Sequence, residues 1–275
     1  MNRPFQDLSP PGRKGRLSAA FQIQARVIGA LILREIKTRF WRNRFGYLWA
    51  FGEPALHLLI WMGVFHALHQ NRSAIHGDHP LHFLAMGIIP FFLFRRVAAF
   101  MSRAISANQA LLDYPLVRHI DLMLARFLLE SATMLAVGFI AFLILGQLGI
   151  AGPPRDLLGL LEASGLLILL GLGFGAFNAV ATMLSPAYDK VLAASWRVLY
   201  FTSGIYFLGE SLPPAILRLV SFNPVFHGIE AFREAYATGY QSSAATVIYP
   251  LVWAAVLLLL GLIMERAARH HLREA

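Results

Sequence analysis

The sequence predicts an all-α integral membrane protein with six transmembrane helices, and three observations carry that prediction. First, 57% of the residues are hydrophobic and only 14% are charged, whereas an ordinary soluble domain is about 25% charged. Second, the apolar residues fall in runs long enough to cross a hydrocarbon core of about 30 Å, which takes about 20 helical residues. Third, Lys and Arg collect on alternate sides of those runs.

The runs place the spans at about 48–68, 81–101, 121–147, 158–184, 192–209 and 245–264. The third and fourth are long enough to tilt or project. Connections at 69–80, 148–157 and 185–191 carry turn residues, among them Gly152-Pro153-Pro154 and Ser185-Pro186. With the N-terminus placed in the cytoplasm, the outer side keeps only Arg72, Arg155, Arg218 and Arg233 of the 24 Lys and Arg residues. That asymmetry obeys the positive-inside rule and puts both termini in the cytoplasm. The chain then divides into a cytoplasmic N-terminus (1–45), a six-helix membrane domain (46–264) and a cytoplasmic tail (265–275).

A formal charge of +9 raises the question of nucleic acid, but the charge lies between apolar runs and not on a folded basic module. With no cysteine there is no disulfide, thiolate metal site or thiol nucleophile. The first apolar run starts beyond residue 45, too late for a secretory signal, so it is expected to stay as an anchor.

Three segments are neither span nor simple loop. Over 17–38, Leu17, Phe21, Ala25, Ile28, Ile32 and Ile36 share one helical face with Arg26, Arg34 and Lys37 opposite, the pattern of a helix lying on the membrane surface. Arg39 falls on the apolar face, so the helix is expected to bend or end near Thr38. Arg39, Arg42 and Arg44 then sit at headgroup level, either binding anionic lipid or capturing substrate. On the cytoplasmic side, a short helix is predicted from Ser102 to Asp113, because Pro115 disfavours the α conformation at Tyr114. It is either a docking element for another subunit or a surface loop. On the outer side, 210–243 is too long for a turn and holds two short helices, 213–222 and 224–238. The second has Asn223 as N-cap, Pro224 at its first position, and Val225, Ile229, Phe232 and Tyr236 in one stripe. Too short to span, the pair re-enters the membrane or lies at its surface, as a gate or as a fixed cap.

No catalytic motif stands out. No Gly-Lys pair occurs, which excludes a P-loop, and no His-Glu-x-x-His is present. His57, His66, His69, His76, His79 and His82 gather near the first outer connection without carboxylates at ligand spacing, and no metal site is assigned. Gly171, Gly173 and Gly175 read as a helix-packing pattern. Polar groups at membrane depth are therefore the functional candidates. Glu53 is placed to pair with nearby arginines. Arg95 and Arg96 point about 100° apart, so at least one faces protein or water. Arg126 and Glu130, at i and i+4, are a structural pair. Among the 21 Phe, 8 Tyr and 5 Trp, the set Tyr47, Trp49, Trp61, Trp196, Tyr200 and Tyr206 lines a path for sugar rings or serves as interfacial belt and packing.

Several blocks resemble one family. They are 33–40 (Leu-Arg-Glu-Ile-Lys-Thr-Arg-Phe), 43–50 (Asn-Arg-Phe-Gly-Tyr-Leu-Trp-Ala), Glu53-Pro54, 84–90, Tyr114-Pro115, Ser185-Pro186 with Asp189, and Asn223-Pro224 followed by His227, Glu230 and Arg233. From about residue 20 onward the chain resembles the membrane subunit of polysaccharide-exporting ABC-2 transporters, most closely the capsular polysaccharide exporters. Exporters of O-antigen and teichoic acid share that architecture. The resemblance implies an ABC-2, type V exporter-like fold in the bacterial inner membrane and a homodimer joined by two copies of a separate ATP-binding subunit. That subunit would bind ATP and Mg; this chain would carry no cofactor and would not be an enzyme. A periplasmic polysaccharide co-polymerase or adaptor and a lipid-linked polysaccharide complete the implied partners, with membrane lipids and no nucleic acid.

In those terms, Arg39, Arg42, Arg44, Arg95 and Arg96 form the basic collar that admits substrate. Ser102, Arg103, Asn108, Leu111, Leu112, Asp113 and Tyr114 form the coupling helix. Pro213, Asn223, Pro224, Ile229, Phe232 and Arg233 belong to the outer gate. A membrane-embedded glycan or lipid transferase using Glu53 or the histidines, and a passive channel, are the competing readings.

Overall fold

The computed structural model describes residues 13–42, 48–67, 79–185 and 187–274, with side chains described from residue 21 to 38, 49 to 67, 79 to 185 and 187 to 268. All regular structure among these residues is helical: α1 (Arg13–Arg42), α2 (Leu48–Ala67), α3 (Pro80–Ser102), α4 (His119–Gln147), α5 (Leu157–Leu184), α6 (Tyr188–Thr202), α7 (Pro214–Val220), α8 (Pro224–Tyr236) and α9 (Ile248–Glu274), with 3₁₀ turns at Ser106–Leu111 and Gly209–Ser211. Four of the described helices, Pro80–Ser102, His119–Gln147, Leu157–Leu184 and Ile248–Ala268, are long and apolar enough to cross a membrane.

Helix α3 is the axis of the bundle. Nearly every residue from His82 to Ala98 is buried, because α2, α4, α5 and α8 all pack on it. Its closest neighbour, α5, approaches through the predicted glycines. A Cβ at Gly171 would meet Phe94 O of α3 at 3.0 Å, one at Gly175 would meet Met101 Cβ at 2.6 Å, and one at Gly173 would meet Ala254 O of α9 at 2.4 Å. Side-chain-free positions thus let three backbones approach, the packing role expected of small residues in membrane helices.

Four expectations need correction. The expected fifth span, 192–209, is helical only to Thr202: the 15-residue α6, about 22 Å long, covers part of an about 30 Å core and gives way to non-helical backbone. Gly204, at φ +75°, takes the left-handed conformation that stops the helix, and Phe226 packs on it where a Cβ would stand. The coupling segment is a 3₁₀ helix over Ser106–Leu111, not an α-helix from Ser102. Ser102 ends α3, buried, and Asn108 leaves helical geometry at φ −131°. Helix α1 does not stop at Thr38 but continues to Arg42, the Thr38 hydroxyl donating back to the Arg34 and Glu35 carbonyls. Of the expected stripe, Ile28, Ile32 and Ile36 are half-buried while Phe21 and Ala25 are exposed, and Gln24, Leu31 and Glu35 turn toward α4 and its neighbours.

That seam explains the fourth correction. Gln24 donates to Asp121, the residue that also caps α4 by accepting from the Arg118 N–H at 2.9 Å. Arg126 pairs with Glu35 at 3.3 Å, and Glu130 pairs with Arg96. Both members of the expected i, i+4 pair thus bind other helices.

Candidate functional site

Helices α2, α3 and α6 enclose a cavity of about 230 Å³ that gathers Glu53, Arg95, Arg96, Arg103, Asp189 and Trp196 against walls of Phe92, Phe100 and Leu192. Arg95 and Arg96 lie about two-thirds along α3, so both guanidiniums reach one side of it, while Arg103 projects from just past its end. Arg96 is held from behind: its Nε donates to Glu130 Oε2 at 3.0 Å, and Glu130 is fully buried. Its Nη1 reaches Glu53 Oε2 at 3.4 Å, and Arg95 Nη1 reaches Glu53 Oε1 at 3.2 Å. One carboxylate on α2 is therefore shared between two guanidiniums on α3. The ring faces add to this, with Arg95 5.4 Å over Phe92 and Arg96 4.9 Å over Phe100.

Beside the cavity the aromatic set is partly assembled. Trp61 of α2 lies 4.0 Å, centroid to centroid, from Tyr206, which is 5.7 Å from Tyr200. Tyr200 packs edge-on to Phe91, and Trp196 to Phe94. His57 Nδ1 is hydrogen-bonded to the Tyr200 hydroxyl at 2.8 Å. Trp61, Trp196, Tyr200 and Tyr206 are half-buried, and the buried Phe91 and Phe94 connect Trp196 to the others. Trp49 is exposed. Tyr47 and Arg44 lie outside the described residues, as do the side chains of Arg39 and Arg42; the collar is thus described only through Arg95 and Arg96.

The outer pair forms as expected in outline. Pro213 precedes α7, and the Asn223 side chain caps α8 by accepting from Val225 N, with Pro224 at the first helical position. Ile229 and Phe232 face the core, but so do Glu230 and Arg233: α8 is buried almost all round against α3, α5 and α9. Arg233 donates to the carbonyls of Gly204 at 2.5 Å, Ile205 at 2.8 Å and Phe207 at 2.9 Å. These are carbonyls that the break after α6 takes out of helical pairing. Glu230 balances the guanidinium at 3.3 Å and accepts from Tyr240 at 2.5 Å and Ser242 at 2.8 Å. Burial first, and the Glu230 carboxylate second, push the Tyr240 phenol above its ordinary pKa, so it remains a donor.

The coupling residues divide. Leu111 and Leu112 pack on the core beneath α3, whereas Arg103, Asp113 and Tyr114 are exposed. Asn108 accepts from Arg34 Nη1 at 3.0 Å, tying α1 to the 3₁₀ turn. Among the described residues no group of three or more His, Asp or Glu is placed to share a metal ion; His69 and His76 lie outside them. Sequence reasoning missed Glu130 as the anchor of Arg96, Gly204 as the helix stop and Arg233 as its clamp. A helical wheel sees only one helix, so the first was invisible to it. The second was signalled by Ser203-Gly204 within an apolar run.

An all-helical bundle with buried charged pairs between apolar helices and a broken helix sealed by a neighbour's side chain fits the class of membrane transport subunits. Residues 26–237 match the ABC-2 type transporter family, and the chain belongs to it. It is 37% identical over 249 residues to the polysialic acid transport protein KpsM of Escherichia coli, covering 90% of this chain and 95% of that one. It is also 34% identical to the capsule polysaccharide export inner-membrane protein CtrC of Neisseria meningitidis (87% and 90% covered). To the corresponding protein BexB of Haemophilus influenzae it is 28% identical (93% and 96% covered).

Proposed function

We propose that this chain is the membrane subunit of an ATP-driven exporter that moves lipid-linked capsular polysaccharide across the bacterial inner membrane. The observation that carries this reading is the match, over about nine-tenths of the chain, to relatives named for polysialic acid transport and for capsule polysaccharide export at the inner membrane. Two copies pair with two ATP-binding subunits, which supply the nucleotide site and its Mg, and a periplasmic adaptor receives the glycan. Helices α2 and α6 complete the six crossings, α6 together with the Arg233-clamped segment after it, and both termini are cytoplasmic. Closure of the ATPase dimer presses on 103–114, and movement of α2 against α6 opens the aromatic surface to sugar rings. Acidic glycolipid approaches from the cytoplasmic leaflet along Arg39, Arg42 and Arg44 toward the cavity at Arg95 and Arg96.

Co-purification with an ATP-binding subunit, followed by ATP-dependent translocation of lipid-linked glycan in inverted vesicles, tests the reading. Glycan uptake that needs both ATP and the partner is the expected result. Turnover without an ATPase, abolished by a single Glu53 or His57 substitution, would mark a transferase instead.

A further inference from the structure

We propose that α6 is a lever whose last turn is fixed to α8 and whose first turn is held to α5 by one latch, the hydrogen bond between Tyr188 and Asn178. Release of that latch swings the Tyr188 end away from α5 while the Thr202 end stays in place. The lever rests on the export reading for what drives it, and on the packing of α6 for where it bends.

At the last turn of α6, one side chain joins two helices. The Asn223 amide nitrogen lies 2.9 Å from Thr202 Oγ1, 3.0 Å from Ser203 Oγ and 3.3 Å from the Leu199 carbonyl, while its oxygen accepts from Val225 N at 3.0 Å. Asn223 thus caps the start of α8 and ties down the end of α6 at once. Immediately beyond, Arg233 takes the carbonyls of Gly204, Ile205 and Phe207. Ser203, Gly204 and Ile205 are buried, and both clamping side chains come from α8 and its cap. Pulling this end free would leave backbone carbonyls unpaired in apolar surroundings, which is costly.

The first turn has nothing comparable. Among the described residues, the Tyr188 hydroxyl, donating to Asn178 Oδ1 at 2.8 Å, makes the one hydrogen bond that joins the first two turns of α6 to another helix. Of the residues of α6 only Leu192 is buried, and Val191, Val198 and Phe201 are more than half exposed. Further along, Trp196 and Tyr200 meet Phe94 and Phe91 edge-on. Such contacts are less directional than hydrogen bonds, so they survive a change of tilt that would break the clamps at the other end.

The break in the chain supplies the bend. The helical ladder stops at Thr202, and Gly204 at φ +75° turns the backbone away. With α6 about 22 Å long, a tilt of about 15° about Ser203 carries the Tyr188 end about 6 Å and leaves the Asn223 contacts almost where they are. That movement parts the Tyr188–Asn178 bond and uncovers Leu192.

The chain has no cysteine, so single introduced thiols report each end. The transporter is purified with its ATP-binding subunit, and the rate at which methyl methanethiosulfonate modifies this chain is read by intact mass, with and without ATP. Leu192→Cys reports the Tyr188 end, the nearly isosteric Ser195→Cys is a second reporter there, and Ser203→Cys reports the pivot. ATP is expected to raise the rate at Leu192→Cys about tenfold and to leave Ser203→Cys slow. Without nucleotide, adding Tyr188→Phe is expected to raise the Leu192→Cys rate about fivefold, the scale of one neutral hydrogen bond. Asn178→Leu should do the same, and the two changes together should do no more than either alone. Ser203→Cys accelerating as much as Leu192→Cys overturns the fixed end. An unchanged rate in both Tyr188→Phe and Asn178→Leu, or effects that multiply when combined, overturns the latch. The nucleotide-free comparison needs no ATP, so its result stands even if vesicle export fails and the functional reading with it. ATP-dependent export with equal labelling at both ends overturns the lever and leaves that reading in place.

Discussion

Arg233 and Arg95 each meet a glutamate at nearly the same distance, 3.3 and 3.2 Å, yet they sit in opposite physical situations. Arg233 and Glu230 are fully buried, and almost every remaining polar atom around them is taken by a backbone carbonyl, Tyr240 or Ser242. Arg95 and Glu53 are about one-third exposed and border a cavity. Buried charge is tolerated only where hydrogen bonds replace water, so the first pair is fixed by the cost of disturbing it. The second pair keeps contact with solvent, and exchanging its partner costs little. The same residue types therefore mark a structural clamp in one place and an exchangeable contact in the other.

The sharpest way to break this contrast is Arg233→Met. Removing the guanidinium frees three carbonyls just past the end of α6 and leaves Glu230 buried without its cationic partner, a loss of about 3–5 kcal/mol. The expected outcome is failure to accumulate in the membrane, or a strongly lowered Tm of the purified complex. A normal Tm would show that the clamp is dispensable. Gly87→Ala tests the same clamp from α3. Its Cβ would stand 2.8 Å from Arg233 Nη2 and 2.8 Å from Ile205 O, and the backbone atom cannot rotate away, so a loss of about 1–3 kcal/mol is expected in thermal unfolding. At the other site, Glu53→Gln should change stability by less than about 1 kcal/mol, because the pair is screened by solvent. A Tm drop as large as that of Arg233→Met would erase the distinction between the two regions.

The contrast also shows what the sequence made legible. The apolar runs located α3, α4, α5 and α9, since hydropathy and length are properties of single segments. Asn223-Pro224 announced α8 because capping is local, and Gly171, Gly173 and Gly175 announced close packing because their lack of side chain is the signal. The break after α6 was marked only by Ser203-Gly204, since Ile205, Tyr206, Phe207 and Leu208 continue the apolar run across it. What permits the break is Arg233, far along the chain, and no window of local sequence contains both. In the same way, Arg126 and Glu130 fit an i, i+4 pair until the register of α3, α4 and α1 supplies Arg96 and Glu35. Of the candidate site, Arg95, Arg96 and Glu53 were readable as charges at membrane depth. Their convergence on one cavity with Arg103, Asp189 and Trp196 was not, because it depends on how α6 lies beside α3.

The smallest effect on stability is expected at the hydrogen bond between Arg34 and Asn108, and it isolates mechanism from folding. Both side chains are at or near the surface, so Arg34→Gln should alter stability by less than about 0.5 kcal/mol. Yet this bond joins α1 to the 3₁₀ turn, and α1 is in turn held to α4 by Gln24 with Asp121 and by Glu35 with Arg126. A push on 103–114 would therefore be shared between α3 and α1. If α1 carries part of that load, Arg34→Gln lowers ATP-driven export while ATPase binding and Tm stay at wild-type values. If export is also unchanged, α3 alone transmits the movement, and α1 serves only to seat the bundle at the membrane surface.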